Sequence, residues 1–223
     1  MSKTTIEWTE ETWNPIHGCS RGCSYCYARK WALRHKAIGT KGYKHGFKPF
    51  FDESRLDQPL RWRKPRMVFV GSMGDIMDPA FDDGLIHAII TVAGGADWHT
   101  FQFLTKRPER LHHFNPWPDN CWVGATATQD KPLGLAVRAL RNVKAKVRFV
   151  SAEPLLGPIR VPPPEIVNWL IVGKLTGQKQ KGPGWLTPQQ FRSIAQAARR
   201  AGIPVFVKNN VPWEGKRPQE FPK

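Results

Sequence analysis

Short apolar runs recur along this chain at a spacing that fits a sheet interleaved with helices. MVFVGS (67–72), FQFLT (101–105), WVGAT (122–126), VRFVS (147–151), WLIVG (169–173) and PVFVK (204–208) are near-continuous apolar stretches. Such runs, too short for helices and bounded by Gly, Ser or Thr, read as strands buried on both faces of a parallel sheet. Between them DGLIHAIITVAG (83–94), KPLGLAVRALRNV (131–143) and TPQQFRSIAQAARRAG (187–202) carry helical spacing. Thr187 followed by Pro188 starts a helix, and Gly202 followed by Pro204 stops it. Alternation of this kind implies a parallel α/β sheet. With a first strand at Thr12–Ile16 the count is about seven, enough for an open or incomplete β/α barrel. A chain of 223 residues supports one well-buried domain. The expectation is therefore a single domain over 1–223, closing in an irregular, Pro-rich tail over 211–223.

The second constraint is chemical. Cys19, Cys23 and Cys26 stand in CSRGCSYC, a C-x3-C-x2-C spacing that puts three thiols on one loop. Thiolates are the usual ligands of iron–sulfur clusters, and three of them leave one iron of a cubane open to a small chelating molecule. A zinc site made of the three cysteines and His17 is the alternative, since zinc takes S and N ligands tetrahedrally. Disulfides fit poorly: the chain has four cysteines, three crowd into one loop, and no secretory signal is visible. Reduced thiols in a cytoplasmic protein are expected. Cys121, just before a strand, reads as a buried thiol.

The cysteine run resembles the radical SAM signature in full, including the aromatic Tyr25 before the last cysteine. That resemblance implies a [4Fe–4S] cluster on Cys19, Cys23 and Cys26, with S-adenosylmethionine (SAM) chelating the open iron and Tyr25 against the adenine. It also implies a partial (β/α) barrel of the radical SAM type, with about six to seven parallel strands and the cluster loop (17–28) after the first. A one-electron donor such as flavodoxin would be required. In these enzymes a Gly-rich turn binds the SAM amino group, and Gly71, Ser72 and Asp75 of GSMGD stand in its place. From the residues alone, Asp75 or Asp78 reads equally well as a helix N-cap.

Chemistry in β/α barrels collects at the C-terminal strand ends. There the sequence offers Lys106 and Arg107, Thr126, Ser151 and Glu153, Lys174 and Thr176, and Lys208. Thr126 and Ser151 are candidate cofactor contacts, and Glu153 and Lys208 candidate catalytic groups. Glu153 reads equally as a structural carboxylate paired with Lys208 or Arg107.

Lys and Arg number 34 against 18 Asp and Glu, a net charge of +16. A surface this basic attracts polyanions, and nucleic acid is the natural partner. The excess concentrates in an insertion over about 29–66, where Lys30, Arg34, Lys36, Lys41, Lys44, Lys48, Arg55, Arg61, Arg63 and Lys64 interleave with Tyr43, Phe47, Phe50, Phe51 and Trp62. Cations for phosphates and exposed rings for bases would make a nucleic-acid groove. A solvated loop anchored by its aromatics is the rival reading. Arg61, Arg63, Lys64, Lys106 and Arg107 are the candidate nucleic-acid contacts. No run approaches the roughly 20 apolar residues that span a bilayer, so no membrane role is expected.

Beyond the cysteines, WNPIHGC, CYA, VGSMGD, FLTKRPERL and SAEPLLGPI resemble a short radical SAM family common in phages and distantly similar to spore photoproduct lyases. The resemblance runs from residue 8 to about 210. It departs at Lys174-Leu175-Thr176, where the family has a more acidic turn. It implies an enzyme acting on a modified thymine in DNA, flipped out or single-stranded, that isomerises a glycyl-type adduct from N-linked to C-linked during thymine hypermodification of phage DNA. A thymine-lesion repair lyase is the second reading. A non-catalytic, metal-bearing DNA-binding module is the third.

Overall fold

Strands and helices alternate as the apolar runs require. A computed structural model describes residues 4–40, 42–176 and 186–223; Lys41 of the basic insertion lies outside the described residues. The strands are β1 (Glu11–Trp13), β2 (Ile16–His17), β3 (Phe50–Phe51), β4 (Met67–Val70), β5 (Thr100–Thr105), β6 (Cys121–Thr126), β7 (Val147–Ala152), β8 (Trp169–Val172) and β9 (Val205–Val207). The α-helices are α1 (Tyr27–Ala37), α2 (Asp83–Gly95), α3 (Asp130–Arg141) and α4 (Pro188–Arg200). Seven strands follow the order β1-β4-β5-β6-β7-β8-β9, the α/β arrangement of an incomplete β/α barrel, and β2 with β3 forms a separate antiparallel pair. No helix among the described residues is long and apolar enough to cross a membrane.

The chain divides into two compact units, residues 1–107 with 118–121, and residues 108–117 with 122–223. In the first, β4 pairs in parallel with β1 and β5, in the register Trp13↔Val70 and Val70↔Phe103. Trp13, Val68, Val70, Phe101 and Phe103 are buried. The single strand expected over Thr12–Ile16 is two. Pro15 has no N–H to give a ladder, so β1 stops at Trp13 and the chain re-enters a sheet at Ile16, opposite Phe51. Helix α2 is capped by Asp82, whose side chain accepts from Leu85 N at 2.8 Å. Asp75 and Asp78 cap no helix, which corrects that reading of them. Their carboxylates instead accept from the N–H two residues on, Met77 and Ala80.

In the second unit β6, β7, β8 and β9 pair in parallel, with Thr126↔Ser151, Ala152↔Val172 and Val172↔Val207 in register. Gly124 makes room for a ring: a Cβ there would lie 2.5 Å from Phe149. Helix α4 opens with a capping box, Thr187 Oγ1 accepting from Gln190 N and Gln190 Oε1 from Thr187 N. Its buried stripe is Phe191, Ile194, Ala195 and Ala198. The tail runs alongside β9. Val207 N donates to Pro218 O (2.8 Å), Glu220 N to Val205 O (3.0 Å), and Phe221 packs on Trp169 and Phe206.

Candidate active site

The cysteine loop is pinned at both ends before any cofactor is considered. Gly18 opens it with φ +80°, a conformation that favours glycine, and a Cβ there would lie 2.4 Å from Lys48 O. Gly74 bridges to Gly18, and its own Cβ would meet Gly18 O at 2.7 Å. The loop therefore passes between two backbones that only glycines let approach. Ser20, next to Cys19, is tied to the fully buried Asp78: its N–H and hydroxyl both donate to Asp78 Oδ2, at 2.7 and 2.8 Å. Arg107 Nη2 donates to Ser20 Oγ (3.0 Å) and lies 3.7 Å from Asp78 Oδ2. Burial pushes the Asp78 carboxyl up, but hydrogen bonds from Ser20 and Ala80 outweigh it and hold the group below its ordinary value.

Cys26 is the N-cap of α1, and its sulfur accepts from Arg29 N at 3.3 Å; Cys19 sulfur accepts from Arg21 N at 3.4 Å. Each of these two sulfurs thus accepts one backbone N–H, and Cys26 sits at the positive end of α1. All three thiols are half-buried and free. Burial pushes the Cys19 thiol up to about 11, with Asp75 and Asp78 adding to it. A metal cation at the sulfur reverses that balance, because coordination displaces the thiol proton. Burial, then the neighbouring Cys23, raises the Tyr25 phenol to about 12, so it stays a neutral, half-buried ring.

Among the described residues no three His, Cys, Asp or Glu side chains are gathered so as to hold a single metal ion. His17 is buried, its ring stacks on Phe50 at 4.8 Å and 5°, and burial lowers its pKa. The donor set fits an iron–sulfur cluster, with three free thiols on one loop and backbone N–H groups on two of the sulfurs.

The turn after β4 is braced from β1 and α1. Asn14 Oδ1 accepts from Ser72 Oγ (3.1 Å) and Met73 N (3.0 Å), and Tyr27 Oη donates to Ser72 O (2.6 Å). Gly71 turns the chain at φ +76°. Asp75 is buried with its oxygens occupied: Thr105 Oγ1 donates to Oδ1 (2.5 Å) and Lys106 N to Oδ2 (3.0 Å). It ties the β4 turn to the end of β5.

In the second unit, Lys208 Nζ and Glu153 Oε1 form a half-buried ion pair at the ends of β9 and β7. Gly173, at the end of β8, leaves their space open; a Cβ there would lie 2.9 Å from Glu153 Cγ and 3.1 Å from Lys208 Cδ. Of the two partners considered for Glu153, it has Lys208; Arg107 is occupied by Ser20 and Asp78. Thr126 and Ser151 are buried and in register on β6 and β7. Cys121, fully buried as the first residue of β6, has its thiol pushed up to about 12 by burial.

The family described as "Protein of unknown function (DUF5131)" matches residues 3–221. The chain belongs to the DUF5131 family. No curated protein matches it significantly. Two solved structures share its fold. A cysteine-to-serine mutant of spore photoproduct lyase superposes with a TM-score of 0.51 and 14% identity over 77% of this chain. A double mutant of the lyase, with bound AdoMet and dinucleoside spore photoproduct, gives 0.53 and 13% over 93%. This DUF5131 chain spans 58% of the length of each.

None of the five aromatics named in the insertion is fully exposed. Trp62 is buried, and its carbonyl accepts from Trp98 Nε1 at 2.7 Å. Tyr43, Phe47, Phe50 and Phe51 are half-buried. Arg61 pairs with Asp57 in the open (2.6 Å), while Arg63 and Lys64 are exposed. Asn14, Ser20 and Tyr27, and the role Asp78 plays, escape a sequence reading because each acts through hydrogen bonds to a distant loop. The glycines at 18 and 74 were the only visible signal of that close approach.

Proposed function

We propose that this protein is a radical SAM enzyme acting on a modified thymine in DNA. The carrying observation is the cysteine loop, with its three free thiols, N–H···S contacts and rigid glycine-lined seat. When bound, the cluster would supply one electron to split SAM into methionine and a 5′-deoxyadenosyl radical that takes a hydrogen atom from substrate. Cys19, Cys23 and Cys26 would hold the cluster. The polar turn from Gly71 to Asp75 would receive the SAM amino group, with Gly71, Ser72 and the Asp75 carboxylate as its contacts. Tyr25 would lie on the adenine, with Thr126 and Ser151 as further cofactor contacts. Lys208 would hold Glu153 in place for contact with a substrate amine or an adduct.

Within that chemistry we favour isomerisation of a glycyl-type thymine adduct from N-linked to C-linked. A repair lyase would favour a thiol able to return a hydrogen atom, and Cys121 is fully buried at the N-terminal end of its strand. The likeness to a lyase with bound dinucleoside spore photoproduct supports DNA as the partner class. The test is to incubate reduced, reconstituted protein with SAM and adduct-bearing phage-type DNA, then digest to nucleosides for mass spectrometry. Isomerisation gives a product of unchanged mass and altered retention, with α-carbon deuterium appearing in 5′-deoxyadenosine. Reversal of a thymine dimer with the adduct untouched would replace this reading by repair.

A further inference from the structure

Helix α1 is built inside out. Its inward residues are small, with Ala28 and Ala32 buried. Its bulky residues face solvent: Tyr27 is 60% exposed, Trp31 51% and Ile38, at the C-cap, 68%. Tyr27, Trp31, Arg34 and Ile38 follow i, i+4, i+7, i+11 spacing, which places them on one face. An ordinary surface helix has the reverse pattern, and a contiguous exposed patch of this kind marks a binding surface.

The charge around the patch identifies the occupant. Residues 21–51 contain eight Lys or Arg (Lys41 among them) and no Asp or Glu. Lys30 and Arg34 are exposed beside the rings. The rings are also held in place. Tyr27 is fixed through its hydroxyl to Ser72 O at 2.6 Å. Trp31 packs on His35 at 4.5 Å, and His35 on Tyr43 at 5.1 Å, with His35 Nδ1 3.0 Å from Thr40 Oγ1. Flat rings that lose little freedom on binding, flanked by cations in a stretch of sequence without carboxylates, are the components of a platform for unpaired bases.

We infer that the outer face of α1, through Tyr27 and Trp31 with Lys30 and Arg34, binds a single-stranded segment of nucleic acid by stacking and phosphate contact. This rests on the reading of DNA as substrate, and it moves the stacking role from the buried and half-buried rings of residues 43–62 to a helix that starts at the last cysteine.

The test is the affinity of cluster-reconstituted protein for a labelled oligothymidylate, followed by anisotropy across a salt series. Trp31→Ala should weaken binding about five- to a hundred-fold, the range for removing one base–aromatic stack. Trp31→Tyr should bind as the parent does, and Trp31→Leu should fail as Ala does, because stacking needs a flat ring. Changing Lys30 and Arg34 to Gln should lower the slope of log K against log salt by about 0.7 for each phosphate no longer neutralised. Far-UV circular dichroism and thermal melting of each variant check that the fold is kept. Parent-like binding by Trp31→Ala, or by Trp31→Leu, overturns the proposal. So does a parent dimer that Trp31→Ala dissociates, which would make a second copy the occupant. Retention of an acidic [2Fe–2S] ferredoxin that Trp31→Ala abolishes, with oligothymidylate binding unchanged, would make the face a protein-docking surface. If the parent binds no oligothymidylate, this inference fails. Whether SAM is cleaved to 5′-deoxyadenosine then decides separately whether the enzyme reading stands.

Discussion

Asp78 has no solvent exposure, yet hydrogen bonds from the Ser20 N–H and hydroxyl, the Ala80 N–H and the Cys19 thiol hold its carboxyl below its ordinary value, and Arg107 lies 3.7 Å away. Removing it leaves those donors and a half-buried guanidinium without their acceptor. Asp78→Ala should cost on the order of 3 kcal/mol in urea denaturation and reduce iron content after reconstitution, because Ser20 adjoins Cys19. Parent-like stability and iron loading would remove Asp78 from the account. His99 makes a different kind of contact. It is buried, its Nδ1 accepts from Arg66 N (3.1 Å) and its Nε2 lies 3.2 Å from Pro59 O. Burial lowers its pKa below 6.5. The sign follows: the unfolded chain takes up a proton before the folded one does, so this contribution is complete above about pH 6.5 and falls as the pH drops below it. The slope from one such group is at most about 1.4 kcal/mol per pH unit. Denaturation at a series of pH values should show a shallower acid limb for His99→Asn than for the parent.

At the scale of elements, the parallel strands were legible because each is apolar throughout; β4 to β9 lie within two residues of their apolar runs. Helix α4 was legible from its cap and its stop. Helix α1 was not, because the usual signal is a bulky apolar stripe turned inward, and here alanines turn inward. The break at Pro15 was visible in the sequence but mattered only once Phe50 and Phe51 arrived to pair with Ile16 and His17. Trp62 looked like a groove aromatic for a related reason: a charged neighbourhood does not reveal which way a single ring points. The close approach of Gly18 and Gly74 yields a prediction for the loop. Gly74→Ala would place a methyl 2.7 Å from Gly18 O and 2.8 Å from Ile16 Cδ1. It should destabilise the protein by roughly 1–3 kcal/mol and lower iron loading, read by denaturation and iron analysis. Full loading with unchanged stability would show that the loop seat tolerates movement.

For the whole molecule, the net charge of +16 is a reason to expect a polyanion partner, and charge alone says nothing of where one would bind. The cysteine spacing was fully legible, since three cysteines in eight residues need no tertiary information. Glu153 and Lys208, by contrast, are 55 residues apart, and only the parallel pairing of β7, β8 and β9 brings them together. The central claim is that the three-cysteine loop supports reductive cleavage of SAM. The direct measurement is 5′-deoxyadenosine released by anaerobically reconstituted, reduced protein, beside Cys19→Ser, Cys23→Ser, Cys26→Ser and Cys121→Ser. The account predicts 5′-deoxyadenosine and methionine in equal amounts from the parent and from Cys121→Ser, and neither from the three loop variants. Stoichiometric zinc without iron, or SAM left intact by a protein that carries its cluster, would contradict it.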